Sequence, residues 1–201
     1  MLIGVGLGPG DPNLLTLQAI DVLKSAIKVY VPGPLASELV KPYAEPEILT
    51  FPMTQDEHEL HDAWRENVER IARYAVEGLT AFGVLGDPNI FSTFSHVAKM
   101  MKIAKPHVHI ATVPGVSAVT ACFSRLNEHV SSSFIISDGS PVTSKLALKA
   151  TQPRDMADEF RKEGFTGLML LERGFTKREK IYVADLPSKG EYFSILYGKQ
   201  T

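Results

Sequence analysis

Cysteine is almost missing from this 201-residue chain. Cys122 stands alone, so no intramolecular disulfide can form, and no Cys/His cluster offers the four ligands of a structural zinc site. That scarcity points to a reducing, cytoplasmic setting. Nowhere do 18 apolar residues run together, and Met1-Leu2-Ile3-Gly4-Val5-Gly6 puts no basic stretch ahead of its apolar residues. Neither a membrane span nor a secretory leader is therefore expected. An excess of one charge is lacking as well. Twenty-one Lys+Arg against 23 Asp+Glu leave a formal charge of -2, which provides no global field for nucleic acid. Low-complexity tracts and internal repeats are absent. What remains, 44% hydrophobic and 22% charged, has the composition of a globular protein, long enough for one large domain or two small ones.

Hydrophobic patterning divides the chain into two rhythms. Leu2 to Gly8 reads as a strand and loop, and Leu17, Ile20, Val22 and Leu23 follow at helical spacing with Thr16 as N-cap. A second strand, Ala26 to Val31, stops at Pro32-Gly33-Pro34. The proline-rich stretch beyond it reads as loop up to Pro52, with a short strand at Ile48 to Phe51. Leu60, Trp64, Val68, Ile71 and Ala75 predict a long amphipathic helix from Glu57 to Glu77, ended by Gly78. Leu79 to Leu85 lacks polar alternation, which suits a strand buried on both faces of a parallel sheet. A helix over Phe94 to Ala104 and a strand over Val108 to Val113 complete an alternating α/β pattern, an open and mostly parallel sheet over residues 1–115. After Pro114-Gly115 comes a helix, Ser117 to Leu126. Strand-like runs at Phe134–Ser137, Lys145–Ala150, Gly167–Leu171, Lys180–Val183 and Tyr192–Tyr197 then dominate, with one helix at Arg154–Glu163. Residues 116–201 thus read as a smaller second domain with a mixed sheet.

Three glycine-bearing loops follow predicted strands. Gly4-Val5-Gly6-Leu7-Gly8-Pro9-Gly10-Asp11-Pro12 fails the G-x-G-x-x-G dinucleotide fingerprint in both registers: the third position is Pro9 from Gly4 and Asp11 from Gly6. No acidic residue ends the second strand near Tyr30, and no G-x-x-x-x-G-K-[ST] occurs, so nicotinamide and P-loop sites are not expected. The loop is then either a tight strand-to-helix turn or a place where missing side chains admit a ligand to the backbone. The second loop, Gly86-Asp87-Pro88-Asn89-Ile90-Phe91-Ser92-Thr93, sits at a strand C-terminus, the edge where open α/β sheets bind ligands, although Ser92 or Thr93 could simply cap the next helix. Pro114-Gly115-Val116-Ser117-Ala118 is the third.

Taken together these loops resemble the signature of the tetrapyrrole (corrin/porphyrin) methylase family, over residues 2 to about 126 and again at Tyr192-Phe193-Ser194. The extension Gly86 to Ser95 is most similar to the branch that methylates carbon 20 of precorrin-2 or cobalt-factor II in cobalamin biosynthesis. The resemblance implies two α/β domains, S-adenosylmethionine as methyl donor in the cleft between them, a tetrapyrrole substrate, and a homodimer. By motif position Leu85, Gly86, Asp87, Ile90, Ser117 and Ala118 would line the donor site, joined by Leu148 and Met169 from the second domain. Gly8, Pro9 and Gly10, with Ser92 and Thr93, would face the substrate, and Asp87 and Asp11 are the candidate proton acceptors. No metal is implied. Two departures stand out: Phe91 replaces a frequent tyrosine, and Asp138 to Lys145 is short. A diphthine synthase-like protein methyltransferase, another corrin-ring methyltransferase, and a non-catalytic binder of an adenosyl ligand are the alternatives.

The remaining residues read as structural. Cys122, beside Phe123 in an apolar helix, is expected to be a buried inert thiol. His58 and His61 fit an exposed helix face, and His96, His107, His109 and His129 lack metal-ligand spacing within one helix. The basic run Arg173 to Lys180 is either a solvated hairpin or a contact for carboxylates of a macrocycle.

Overall fold

The computed structural model describes residues 1–52 and 57–200, and the side chains of all of these except 57–61. Leu60, His58 and His61 therefore lie outside the described side chains. Two compact units divide the chain, Met1–Phe134 and Ile135–Thr201.

In the first unit the elements are β1 (Leu2–Gly6), α1 (Leu17–Ser25), β2 (Lys28–Val31), α2 (Pro34–Val40), β3 (Pro46–Ile48), α3 (Glu57–Ala75), β4 (Thr80–Val84), α4 (Thr93–Ala104), β5 (Ile110–Val113) and α5 (Ala118–Leu126). The five strands form one sheet in the order β3-β2-β4-β1-β5, parallel at every pairing. Strands β1 and β4 are buried at every position, which is why they lack polar alternation. Successive residues of β1 feed opposite cores. Leu2 joins Phe82, Phe94 and Ile71 on the side of α3 and α4, while Ile3 and Val5 join Ala19, Leu23 and Leu39 on the side of α1 and α2. Gly4 points toward α4, where a Cβ would come within 2.4 Å of the Phe94 ring, so the absent side chain sets how close the helix can lie.

Capping follows the sequence closely in this unit. Thr16 accepts from Ala19 N at 3.1 Å and opens α1, and Ser92 accepts from Phe94 N at 3.1 Å and opens α4. The proline-rich stretch differs from its expected loop. Pro34 is the first residue of α2, where its missing N–H costs nothing, and Ala36, Leu39 and Val40 bury the helix against the sheet. The short strand falls at Pro46–Ile48, just ahead of the expected Ile48–Phe51, paired with β2.

The second unit contains β6 (Ser144–Leu148), α6 (Pro153–Lys162), β7 (Gly167–Glu172), β8 (Lys180–Tyr182) and β9 (Ser194–Lys199). Its sheet runs β6-β9-β7-β8, and every pairing is antiparallel rather than mixed. Phe134–Ser137, expected to be a strand, joins no ladder. Ala157 and Phe160 of α6 cover one face of this sheet through Leu168, Leu170 and Leu196. The opposite face carries Leu146 and Leu148 of β6, Met169 and Leu171 of β7, and Ile195 and Tyr197 of β9, aligned across the strands by the register. Leu146 and Leu148 are 65% and 69% exposed there.

Candidate functional site

Sheet order creates a crevice in the first unit. Helix α1, which follows β1, packs on one face, and α4, which follows β4, packs on the other, so the chain leaves these neighbouring strands in opposite directions. Ligands of open α/β sheets bind outside the carboxyl ends of the strands at such a switch point. Here that position is occupied by the glycine loops after β1, β4 and β5.

Those loops touch backbone to backbone. Gly86 N donates to Gly8 O at 2.8 Å, and the two residues form an isolated antiparallel bridge. A Cβ on Gly6 would lie 2.4 Å from Gly115 N and 2.7 Å from Gly86 O, and one on Gly115 would lie 2.2 Å from Gly86 O. No side chain fits in this three-way contact. Gly8 and Gly86 also adopt φ of 73° and 69°, a region that disfavours L side chains.

Asp87 braces the arrangement. Its Oδ1 accepts from Asn89 N at 2.8 Å and from Asn89 Nδ2 at 3.0 Å, while its Oδ2 accepts from Gly115 N at 3.1 Å, tying the β4 loop to the β5 loop. Asn89 Nδ2 reaches on to Thr112 Oγ1 at 3.3 Å. Each hydrogen bond to a carboxylate contributes about 1.5–3 kcal/mol, and with three N–H groups on it the side chain acts as a strut. Asp11 repeats the local turn: its Oδ1 accepts from Asn13 N at 2.9 Å and from Asn13 Nδ2 at 3.0 Å. Both turns are spelled Gly-Asp-Pro-Asn, at 10–13 and 86–89. That recurrence is a signal in the sequence from which the bracing roles of Asn89 and Gly115 could have been read.

Most of the expected site residues of the first unit gather at this rim. A Cβ on Gly86 would stand 3.6 Å from Ala118 N and 3.9 Å from Ser117 Cα, which leaves ordinary room. Ser117 caps α5 by accepting from Val119 N at 3.3 Å, and Ala118 is exposed. Leu85 and Ile90 each leave 42% of their surface exposed at the rim. Gly10 is open, with nothing within 4 Å of a built Cβ, and Pro9 is half-buried. Ser92 is buried and spent on capping α4, whereas Thr93, the first residue of that helix, is half-buried. Leu148 and Met169 share the uncovered sheet face of the second unit.

Cys122 departs from its expected burial. It is exposed, its Sγ donating to Val119 O at 2.9 Å, because α5 buries none of its residues. Among the described residues no helix is long and apolar enough to cross a membrane, and no three His, Cys, Asp or Glu side chains converge as metal ligands.

Comparison with known proteins gives this geometry its context. The family model of the tetrapyrrole (corrin/porphyrin) methylases matches residues 1–182. A Methanocaldococcus jannaschii protein named probable cobalt-precorrin-2 C(20)-methyltransferase is 37% identical over 133 residues, 62% of this chain and 56% of the relative. A Sinorhizobium precorrin-2 C(20)-methyltransferase is 30% identical over 142 residues, 61% of this chain and 56% of the relative. The chain thus spans about half the length of these curated relatives. In fold it is similar to the crystal structure of a cobalt precorrin-4 methyltransferase, with a TM-score of 0.54 at 18% identity, covering 98% of this chain and 94% of that one. With the parallel sheet, the antiparallel second sheet and the matched residues agreeing, the chain belongs to the tetrapyrrole (corrin/porphyrin) methylases.

Proposed function

We propose that this chain is a cytoplasmic methyltransferase that moves a methyl group from S-adenosylmethionine to carbon 20 of precorrin-2 or cobalt-factor II in cobalamin biosynthesis, working as a homodimer. The observation that carries the reading is the backbone cradle at Gly6, Gly86 and Gly115, braced by Asp87 and set at the switch point between β1 and β4. The likeness to relatives named for carbon-20 methylation supports the choice of ring position.

The donor, when bound, supplies a methyl group already activated by a positively charged sulfur. The protein's task is then alignment and exclusion of water, and orientation of reacting groups contributes up to about 7–11 kcal/mol. Gly86 puts no side chain beside the start of α5 at Ser117 and Ala118, where an adenosyl ligand can rest, and Leu85 and Ile90 bring apolar surface to it. Asp87 holds the β4 and β5 loops at fixed separation and so keeps that surface shaped. The carbon that gains a methyl group must lose a proton. Asp11 suits this role better than Asp87, because both of its bonds to Asn13 fall on Oδ1 and leave Oδ2 to accept. Gly8, Pro9 and Gly10 lie beside that carboxylate and suit a broad, flat substrate. The exposed Leu126, Val130 and Phe134 (66%, 44% and 49%) are apolar surface suited to a second copy.

Incubation of the purified protein with labelled S-adenosylmethionine and either precorrin-2 or cobalt-factor II tests the reading, with mass spectrometry and NMR locating the methyl group. Label at carbon 20 is expected. Binding of the donor without transfer to either ring overturns it, and transfer only to a modified histidine on a translation factor selects the diphthine-type alternative.

A further inference from the structure

The second unit holds a cavity of ≈ 840 Å³ formed wholly by its own residues. Pockets of roughly 300–1,000 Å³ are the size at which small ligands are held. Its walls are apolar and aromatic, contributed by Leu148 at the end of β6, Leu171 on β7, Tyr192 and Phe193 ahead of β9, and Phe175 in the β7–β8 loop. Phe175, Phe193 and Leu148 expose 83%, 72% and 69% of their surface, a poor arrangement for folding alone.

The charged groups of this lining are basic, while Glu172, Glu179 and Glu191 stand with Arg173, Lys177 and Arg178 around an adjoining depression. Lys149, Arg173, Lys177 and Arg178 line the cavity, and no carboxylate does. Arg173 pairs with Glu191 at 2.7 Å, whereas Lys149, Lys177 and Arg178 have no ion pair among the described residues. Lys149 Nζ instead lies 5.3 Å from the centre of the Tyr192 ring. The nearest acid on the loop, Glu179, accepts from the Phe175 backbone N–H and is spent on the loop's own shape. Backbone strain concentrates here too. Of the five non-glycine residues described with positive φ, three line the cavity: Lys149 (56°), Arg173 (50°) and Phe175 (64°). Such conformations cost about 1–3 kcal/mol each and persist where a site requires them.

We propose that this cavity receives one carboxylate-bearing edge of the tetrapyrrole, with the aromatic and leucine walls against the ring and Lys149, Lys177 and Arg178 toward its acetate and propionate groups. The inference rests on the methyl-transfer reading and deepens it by naming what holds the substrate. Charge decides between the two ligands of the reaction. The cations without ion pairs, Lys149, Lys177 and Arg178, repel a sulfonium-bearing donor and attract a polyanionic ring, so Leu148 would face the ring here rather than the donor expected from its motif position.

The test uses the whole chain and uroporphyrin III, a stable octacarboxylic tetrapyrrole, followed by visible absorbance and tryptophan fluorescence. Lys177→Ala/Arg178→Ala is expected to raise the Kd for uroporphyrin roughly tenfold at low salt and to flatten its salt dependence. The Kd for S-adenosylhomocysteine by calorimetry is expected to stay within about twofold, and Phe175→Ala is expected to weaken uroporphyrin while leaving the salt dependence intact. Unchanged uroporphyrin affinity in the double variant overturns the inference, as does loss of S-adenosylhomocysteine binding with uroporphyrin retained. Methyl transfer to precorrin-2 separates the two levels of argument. Wild-type transfer with an unchanged KM in the double variant overturns the carboxylate role alone, whereas no transfer in the wild type overturns the methyl-transfer reading beneath it.

Discussion

Replacing Gly115 with alanine tests whether the three-loop contact is the cradle it is taken to be. Gly115 does not have positive φ, so alanine meets no backbone penalty and the effect is steric alone. The new Cβ would lie 2.2 Å from Gly86 O and 2.7 Å from Gly6 Cα, and both obstacles are backbone atoms in tightly held loops. Reaching even a 3.0 Å separation moves the β5 loop by about 0.8 Å, enough to break the 3.1 Å bond from Gly115 N to Asp87 Oδ2. Overpacking costs about 1–3 kcal/mol and the lost charge-assisted bond about 1.5–3 kcal/mol. Because the two are coupled, a loss of about 3 kcal/mol is expected, or about 10 °C in Tm for a unit of this size. Urea denaturation measures the first effect and calorimetry with S-adenosylhomocysteine the second, where affinity should fall at least about tenfold. A Gly115→Ala protein with wild-type stability and wild-type donor affinity refutes the reasoning.

Asp87→Asn keeps an acceptor for Asn89 but places an N–H donor against Gly115 N, so kcat/KM should drop about tenfold with the shape of its pH profile retained; loss of the acidic limb of that profile would show a proton-transfer role instead. Thr80 is fully buried with an unpartnered hydroxyl, and Thr80→Val should stabilise the protein by about 1 kcal/mol, read as a higher urea midpoint; an unchanged or lower midpoint counts against it. The hydrogen bond from Lys28, with Arg70 also paired to it, holds the Glu47 carboxyl below its ordinary value of 4.5. A depressed carboxyl contributes stability above its unfolded pKa and loses it as pH falls through the folded one. Glu47→Gln should therefore cost about 1 kcal/mol at neutral pH, and the difference from wild type should close below about pH 4.5; a gap that persists in acid would show the loss to be one of packing.

Local signals sufficed for the first unit's alternation of strands and helices. Apolar runs such as Leu79 to Leu85 carry burial on both faces, and Thr16, Ser92 and Ser117 mark helix starts by their side-chain oxygens. The proline-rich segment reads as loop because proline stops a helix from inside, but proline also opens a helix at its first residue, and packing against the sheet selects α2 there. The strand-like look of Phe134–Ser137 shows the opposite limit, since β-propensity without a partner strand forms no ladder. Cys122 reads as buried because its neighbours are apolar, yet it is exposed, since burial depends on what lies across from a helix face, which a periodicity cannot report.

The sequence by itself determined the class of fold, the three glycine loops and their family, because strand burial, caps and motif spacing are local properties written in consecutive residues. Tertiary structure alone decided that Gly6, Gly86 and Gly115 meet at one switch point, that Asp87 spends its carboxylate bracing two loops, and that Lys149, Arg173 and Arg178 ring a single cavity. Those facts depend on strand order and cross-strand register, which bring residues distant along the chain within a few ångströms of one another.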